Sequence, residues 1–204
     1  MPKRSRTRQR RTAEEARREI LDVAEVQLRE LGPGGLRLQQ IAARVGVSHP
    51  AILHHFGSRE GLIRAVVERA IESLEADLIL ALRVAPLTDV PAVLDLVERS
   101  FRALVDGGHA RVLAWLLLSG EEIRPGVTRV RTIAEVAHER RLRMEGRDPP
   151  AALEDTIFRM LTVSLTIFGE AIAGPAMRAS AGVDDPQAGA RFREWLARLV
   201  VEAR

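Results

Sequence analysis

Cysteine and tyrosine are absent from this chain of 204 residues, and aromatic residues make up only 3% of it. Without cysteine there can be no disulfide bond, no thiolate nucleophile and no cysteine ligand for zinc. The shortage of aromatic residues argues against a β-rich fold. The longest apolar run, residues 112–118, is far shorter than the roughly 20 residues of a membrane-spanning helix. We therefore expect a cytoplasmic protein that does not enter a membrane.

Alanine, leucine, arginine and glutamate dominate the composition, and these residues favour helices. Glycine and proline divide the chain into nine segments of helical periodicity and none of convincing strand character. This pattern predicts an all-α fold, with a three-helix N-terminal region followed by a larger helical domain. It also predicts that a long apolar helix ends near Ala173, because Gly174 and Pro175 follow.

The first three predicted helices have well-marked ends. Thr12 and Glu15 form a capping box at the start of the first helix. Gly46 follows the second helix and suits the left-handed conformation that ends it. Ser48 is a good N-cap for the third helix, and Pro50 falls in its first turn, where a missing N–H costs nothing. Short helices joined by a glycine turn make a helix-turn-helix candidate.

Charge is spread unevenly along the chain. The formal net charge is +3, but residues 1–60 carry twelve Lys and Arg against seven Asp and Glu. The first eleven residues hold six basic residues and no acid, which is typical of either a solvated arm or an arm that binds nucleic acid. The stretch from Arg37 to Arg59 also lacks acids, as a surface that approaches DNA phosphates requires.

The third predicted helix has two distinct faces, because successive residues point about 100° apart. Ile52 and Phe56 lie on the side that can pack against the first two helices. His49 and His54 lie on the opposite side, which is free to enter a major groove. The adjacent His54 and His55 point in different directions and are poorly placed to hold one metal ion.

Three segments carry a family resemblance: REILDVA (residues 18–24), IAARVGVS (residues 41–48) and LHHFGSREGLIRAV (residues 53–66). Over residues 12–67 the chain resembles the DNA-binding domain of the TetR family of transcriptional regulators. The rest of the chain resembles the family only in its helix count and apolar character.

The resemblance implies which residues contact double-stranded DNA. His49, Pro50 and His54 would face the bases, and the other positions would lie along the phosphate backbone. Leu53 stands where the family often has tyrosine, so it cannot donate a hydrogen bond to phosphate. The predicted DNA-binding residues are Arg37, Gln39, Ser48, His49, Pro50, Ala51, Leu53, His54, His55 and Arg59.

The resemblance further implies a DNA-binding domain at residues 1–58 and an effector-binding and dimerisation domain at residues 59–204. Two protomers would read a palindromic operator, and a small-molecule effector would release them. The predicted effector-pocket residues are Phe101, Trp115, His138 and Phe158. The predicted dimer-interface residues are Leu165, Phe168, Phe192, Trp195 and Leu199. From the residues alone, these side chains are also explained as the core of a single chain.

A metal-dependent helical-bundle enzyme is the main alternative to a homodimeric repressor. Glu135 and His138 have the Glu-x-x-His spacing of di-iron bundles. Such a site needs a second motif and two further glutamates, and the other long apolar helix offers only Glu154, Asp155 and Glu170. We therefore expect no catalytic activity, no metal and no cofactor. An activator, or a regulator without an effector, would share the same N-terminal domain.

Overall fold

The computed structural model describes residues 12–84, 89–121, 130–145 and 152–202. All regular secondary structure in these ranges is helical, as the sequence predicts. The basic arm at residues 1–11 lies outside the described residues. The α-helices are α1 (Ala13–Gly35), α2 (Leu38–Val45), α3 (His49–Phe56), α4 (Arg59–Val84), α5 (Val90–Phe101), α6 (His109–Leu118), α7 (Val130–Glu145), α8 (Ala152–Ser180) and α9 (Ala188–Glu202).

The chain divides into two compact units, and the division falls within α4 between Val66 and Val67. The N-terminal unit contains α1, α2, α3 and the first two turns of α4. The C-terminal unit contains the rest of α4 together with α5 to α9. The functional boundary before Arg59 stays a prediction.

The first helix starts where the capping box predicts. The Glu15 N–H donates to the Thr12 hydroxyl at 3.1 Å, and the Thr12 N–H donates to the Glu15 carboxylate at 2.8 Å. The regular helix is interrupted at Gly32, which has a φ of 68°, and a short helical turn follows. A positive φ is readily adopted only by glycine, so the glycine-rich sequence determines where the helix breaks.

The N-terminal unit has an aliphatic core to which all four of its helices contribute. Ile20 and Ala24 of α1, Ile41 of α2, Ile52 of α3 and Leu62 of α4 are fully buried. Both α1 and α2 pack against α3. Burying one large aliphatic side chain stabilises a fold by roughly 1.5–3 kcal/mol. This core orients α3, whose eight residues are too few to form a stable helix alone.

The fifth helix ends in a π-helical turn, Arg102–Asp106. There the Gly107 N–H donates to the Arg102 carbonyl at 3.1 Å, one residue further back than in an α-helix. In an α-helix the Gly107 N–H would donate to the Ala103 carbonyl. Here that carbonyl lies 2.7 Å from Nδ1 of His109 instead. Because a carbonyl only accepts, Nδ1 carries the proton in this contact. The buried His109 ring therefore stabilises the turn between α5 and α6.

In the C-terminal unit, α5 packs along α9 and α7 packs along α8. A buried cluster joins α5, α8 and α9 and consists of Val97, Phe101, Ile167 and Leu196. The Arg193 Nε donates to the Glu98 carboxylate at 2.7 Å, which joins α9 to α5. The same guanidinium lies over the Phe101 ring, 5.2 Å from its centroid.

The long helix α8 extends further than the sequence predicts. It continues through Pro175 to Ser180, so the earlier end expected at the glycine–proline pair is wrong. Pro175 has no N–H to donate to the carbonyl of Ala171, four residues earlier. The Arg111 Nε on α6 donates to that carbonyl at 3.0 Å. Since a neighbouring helix replaces the lost hydrogen bond, α8 proceeds past the proline.

Among the described residues, α8 is also the one helix that is long and apolar enough to cross a membrane, over Leu153–Ser180. Length and composition are weak evidence, because core helices of soluble proteins pass the same test. One face of α8 packs against α5, α6, α7 and α9, while several large apolar residues on the opposite face are exposed in the single chain.

Replacing Arg111 with alanine should destabilise the protein by about 1–3 kcal/mol, because the buried Ala171 carbonyl loses its donor. Denaturant unfolding at one fixed protein concentration measures the change. In a Pro175→Ala background the helix provides its own N–H, so the Arg111→Ala substitution should cost much less. Equal losses in the two backgrounds would contradict the proposed link between the arginine and the proline.

Candidate functional site

The turn between α2 and α3 sets the direction of both helices. Gly46 has a φ of 76° and a ψ of 35°, in the left-handed region. The N–H groups of Gly46 and Val47 both donate to the Ala42 carbonyl, at 2.9 and 3.0 Å. The end of α2 is therefore closed by hydrogen bonds, in a conformation that costs little only for glycine.

The third helix begins at the predicted cap and presents two different faces. The Ser48 hydroxyl accepts the Ala51 N–H at 3.3 Å, and Pro50 lies in the first turn. Ile52 is fully buried, whereas Pro50 and His54 are exposed. Pro50 and His54 are two of the three residues predicted to face the bases, and that role stays a prediction.

The residues on the flanks of α3 are neither fully buried nor fully exposed. His49, Leu53 and His55 are partly exposed, as is Ala51. The ring centroids of His55 and Phe56 are 6.1 Å apart. His55 therefore lies at the edge of the buried face, while His49 and Leu53 border the exposed one.

The corner between α3 and α4 requires a glycine. The Gly61 N–H donates to the Ser58 hydroxyl at 2.9 Å, which caps the start of α4 as the sequence predicts. A Cβ at Gly61 would overlap the backbone carbonyl oxygen of Phe56. Only glycine lets α4 begin this close to the end of α3.

Arg37 and Arg59 are both bonded to the turn between α1 and α2. The Arg37 Nη1 donates to the carbonyls of Gly34 and Leu36, at 2.8 and 3.2 Å. The Arg59 Nε donates to the Leu36 carbonyl at 3.2 Å, and its Nη2 donates to the Pro33 carbonyl. Both guanidinium groups thus stabilise the turn. A phosphate contact by either residue stays a prediction, and it would have to share or replace these bonds.

Gln27 is a positioning residue that the sequence reading misses. It is buried, its side-chain oxygen accepts the Arg37 N–H at 3.2 Å, and its Nε2 donates to the Gln40 side chain at 3.3 Å. It therefore ties α1 to the start of α2, where Arg37 makes no side-chain cap and the neighbouring Gln39 is exposed. The signal available in the sequence is an amide on the apolar face of α1, between Ala24 and Leu28.

Comparisons with known proteins agree on the N-terminal unit. Residues 20–66 match the family described as "Bacterial regulatory proteins, tetR family". The HTH-type transcriptional repressor Rv3405c of Mycobacterium tuberculosis is 28% identical over 172 residues, which cover 84% of this chain and 80% of the repressor. The crystal structure of a TetR-family transcriptional regulator from Streptomyces coelicolor has a TM-score of 0.64 at 21% identity, over 93% of this chain and 80% of that one.

The N-terminal unit of this chain is the DNA-binding domain of a TetR-family transcriptional regulator. The α2–turn–α3 segment is accordingly the helix-turn-helix with which it binds DNA. A further structural match is AibR in complex with isovaleryl coenzyme A and operator DNA, with a TM-score of 0.50 at 15% identity over 77% of this chain and 86% of that one.

The C-terminal unit of this TetR-family regulator contains a cavity of about 250 Å³ that is open to solvent on one side. Most of its wall comes from α4, α5, α7 and α8, and it is predominantly aliphatic. Phe168 alone is aromatic among the described residues of the wall. The polar side chains on the wall are Glu75, Ser100, Arg141, Thr156, Arg159 and Ser164.

The four residues predicted for an effector pocket do not line this cavity: Phe101, Trp115, His138 and Phe158. Phe101 is buried in the core between α5 and α9, and Trp115 is partly exposed on α6. His138 is buried, but it follows Ala137, which does line the cavity. Successive residues of a helix point about 100° apart. The apolar pattern of α7 alone therefore does not determine whether Ala137 or His138 faces the cavity.

Phe158 and Phe168 on α8 differ from their predicted environments. Phe158, predicted for the pocket, is 57% exposed on the outer face of α8 together with Leu165, which is 68% exposed. Phe168, predicted for the dimer interface, contributes to the cavity wall. The two phenylalanines lie about 80° apart around the helix axis. On α9, Trp195 and Leu199 are exposed, one turn apart.

The partly exposed Phe192 stacks against Trp195, with ring centroids 6.1 Å apart and planes inclined by 20°. The stack widens the apolar surface of α9. Whether that surface forms the dimer interface stays a prediction.

Two arginines on the cavity wall share one carboxylate. The Arg141 Nη1 and the Arg159 Nε donate to the same Asp155 oxygen, at 3.1 and 2.9 Å, and the Arg159 Nη1 donates to the Val200 carbonyl at 3.3 Å. Burial alone would raise the pKa of the Asp155 carboxyl, but the hydrogen bonds and charges of the two arginines lower it below its usual value. Asp155 is therefore ionised at neutral pH and holds both guanidinium groups.

Three of the four carboxylates considered for a metal-dependent enzyme are engaged by arginines. Asp155 is paired as just described, Glu135 accepts from the Arg131 Nε at 2.9 Å, and Glu170 pairs with Arg178. Within the parts of the chain that the structure describes, no three His, Asp or Glu side chains are arranged to hold a metal ion. These ion pairs and the family membership favour the regulator.

Gly61→Ala should destabilise the N-terminal unit by more than about 1 kcal/mol, because the new Cβ overlaps a backbone carbonyl rather than a flexible side chain. Gly34→Ala is the matched control, since its Cβ would meet no atom within 4 Å. It should be neutral or slightly stabilising. Thermal unfolding followed by circular dichroism measures both variants. Equal stability of the two would mean that the α3–α4 corner opens without cost.

Proposed function

We propose that this TetR-family regulator is a repressor that binds a palindromic operator as a homodimer and is released by a small-molecule effector. The observation that carries the proposal is the outer face of α3, which is exposed, free of acidic residues and capped by Ser48. A major groove admits one such helix. The similarity to a mycobacterial repressor supports negative control of transcription.

The proposed base-reading residues are His49, Pro50 and His54. Histidine rings can donate to or accept from base edges, and a proline ring can pack against a thymine methyl group. His54 and Pro50 are exposed, and His49 lies beside them at the start of the helix.

Phosphate contacts are proposed for both ends of the helix-turn-helix. Arg37, Gln39 and Ser48 lie at the starts of α2 and α3, and Arg59 lies at the start of α4. Ala51, Leu53 and His55 lie along the flanks of α3. Of these residues, Arg37 and Arg59 would contribute most to the salt dependence of binding, because each brings a full positive charge to the phosphates.

Dimerisation is proposed through the outer faces of α8 and α9. Phe158, Leu165 and Ile172 are exposed at intervals of seven residues on α8, and Trp195 and Leu199 are exposed on α9. Exposed large apolar residues in a contiguous stripe mark an interaction surface. A two-fold axis would present two recognition helices to successive major grooves, which a single helix-turn-helix cannot do. The apolar composition of α8 then needs no membrane to explain it.

Effector binding is proposed for the cavity in the C-terminal unit. Its volume of about 250 Å³ is slightly below the range of roughly 300–1,000 Å³ found for small-molecule sites, so it suits a small ligand. The neighbour AibR was crystallised with both a ligand and operator DNA, which supports the same combination here. The helix α4 runs unbroken from Arg59, at the proposed DNA end, to Leu82, on the cavity wall. The effector would bind more tightly to a conformation in which the two recognition helices do not fit successive major grooves. The larger the ratio of its affinities for the two conformations, the more it lowers the affinity for DNA.

We assign DNA binding to residues 1–58 and effector binding with dimerisation to residues 59–204. The basic arm at residues 1–11 would add phosphate contacts. A repressor acts where the DNA is, which in a bacterium is the cytoplasm.

Sequencing the DNA fragments that the purified full-length protein selects from a random pool tests the proposal. We expect a palindrome whose half-sites are about one helical turn, 10–10.5 base pairs, or a multiple of it apart. If no sequence is enriched at moderate salt, the proposal is wrong.

His49→Ala should change the sequence preference at one base pair in each half-site, at a cost of roughly 1–3 kcal/mol for the preferred base. Arg37→Ala is the contrasting variant, because loss of a phosphate contact weakens binding to all sequences and reduces the salt slope by about one unit. Fluorescence anisotropy with the selected DNA and single-base variants measures both. A uniform loss for His49→Ala would show that this residue does not read a base.

Leu165→Asp and Leu199→Asp should each convert the dimer to a monomer, because a carboxylate in an apolar interface loses its hydration. Leu118→Asp is the matched control, since Leu118 is 89% exposed on α6 outside the proposed interface. Light scattering over a range of protein concentrations measures the mass. If both interface variants remain dimeric, the subunits associate through another surface.

A further inference from the structure

The wall of the C-terminal cavity is suited to a flexible aliphatic chain. Leucine, isoleucine and valine side chains dominate it, and Phe168 is the single aromatic ring among its described residues. A flat aromatic ligand would therefore find little surface for stacking. A cavity of about 150 Å³ holds benzene, so the cavity here, at about 250 Å³, holds roughly ten non-hydrogen atoms by proportion.

The charges around the cavity balance one another. Glu75, Arg141 and Arg159 lie on the wall, and Asp155 is bonded to both arginines. Counted by formal charge, the two carboxylates equal the two guanidinium groups, so this set of side chains carries no net charge. An anionic ligand would have to compete with Asp155 for the guanidinium groups, and a cationic ligand would lie near two positive charges. Burial of an uncompensated charge in apolar surroundings is costly, so the cavity favours an uncharged ligand.

Two buried groups on α4 and α5 offer hydrogen-bond acceptors to the cavity. The Ser100 hydroxyl donates to the Leu96 carbonyl at 3.0 Å, which leaves its oxygen as an acceptor. The Glu75 side chain is only 6% exposed, and a carboxylate is an acceptor. The wall also carries donors, such as the Ser164 hydroxyl, so an alcohol can donate and accept here, whereas an ether can only accept.

We propose that the cavity binds a neutral aliphatic alcohol of roughly ten non-hydrogen atoms. This proposal rests on the effector role proposed above for the same cavity. The aliphatic chain packs against the leucine, isoleucine and valine side chains, and the hydroxyl group donates to Glu75 or Ser100.

Four probes of matched size test the ligand class in the full-length protein. 1-Nonanol is neutral and donates, 1-methoxyoctane is neutral and cannot donate, octanoate is an anion and nonylammonium is a cation. We expect calorimetric titration at pH 7 to give binding of 1-nonanol at least about tenfold tighter than that of either ion. Binding should be about three- to tenfold tighter than that of the ether. An ion or the ether that binds as tightly as 1-nonanol would overturn the proposal.

Variants of the wall test whether these probes occupy this cavity. Glu75→Gln removes one negative charge with little change in shape, so octanoate binding should improve by about tenfold relative to nonylammonium. Ser164→Trp places a large ring at an exposed position of the wall and should abolish 1-nonanol binding. Ser180→Trp, at the exposed end of α8, is the matched control and should bind normally. Unchanged binding of 1-nonanol by Ser164→Trp would overturn the assignment.

Fluorescence anisotropy with the selected DNA separates the ligand class from the effector role. If 1-nonanol binds with the expected selectivity but does not release DNA, the effector role is wrong and the ligand class stands. If octanoate releases DNA at a lower concentration than 1-nonanol, the ligand class is wrong and the effector role stands.

Discussion

The position of the recognition helix depends on the burial of one isoleucine. The helix α3 has eight residues and is bounded at both ends by glycines with positive φ, Gly46 and Gly57, so its backbone hydrogen bonds alone cannot hold it. Ile52 is fully buried, as are Ile20 of α1 and Ile41 of α2, and its burial determines which side of α3 faces outward. The exposure of the histidines is a consequence of that one orientation.

Much of the N-terminal unit can be predicted from sequence because its signals are local. The capping box at Thr12, the left-handed Gly46 and the cap at Ser48 each act on backbone groups within four residues. Their chemistry is therefore visible in a short stretch of sequence. The faces of α3 follow from the helical period once the buried residue is known. The positions at the helix starts of the residues proposed to contact phosphates also follow from the sequence, but not the bonds that Arg37 and Arg59 make to the α1–α2 turn.

The C-terminal unit was harder to predict because its decisive contacts join distant residues. The cavity wall depends on how far each helix is rotated about its own axis, and a rotation of one residue exchanges Ala137 for His138. The same limitation explains why the sequence does not show that Phe158 is exposed on α8 while Phe168 lines the cavity. The apolar periodicity of the sequence identified the helices correctly. It does not show which apolar stripe of a helix faces a neighbouring helix, a cavity or a second subunit.

The hydrogen bond from Arg111 to the Ala171 carbonyl has a consequence for how relatives of this protein can diverge. Pro175 is tolerable only while an arginine on α6 satisfies the carbonyl that the proline leaves without a donor. A lineage can therefore gain the two residues by acquiring the arginine before the proline. It can lose them by replacing the proline before the arginine. The reverse order passes through an ancestor with an unsatisfied buried carbonyl in its longest helix. Residues 111 and 175 should thus change together across lineages, in a preferred order.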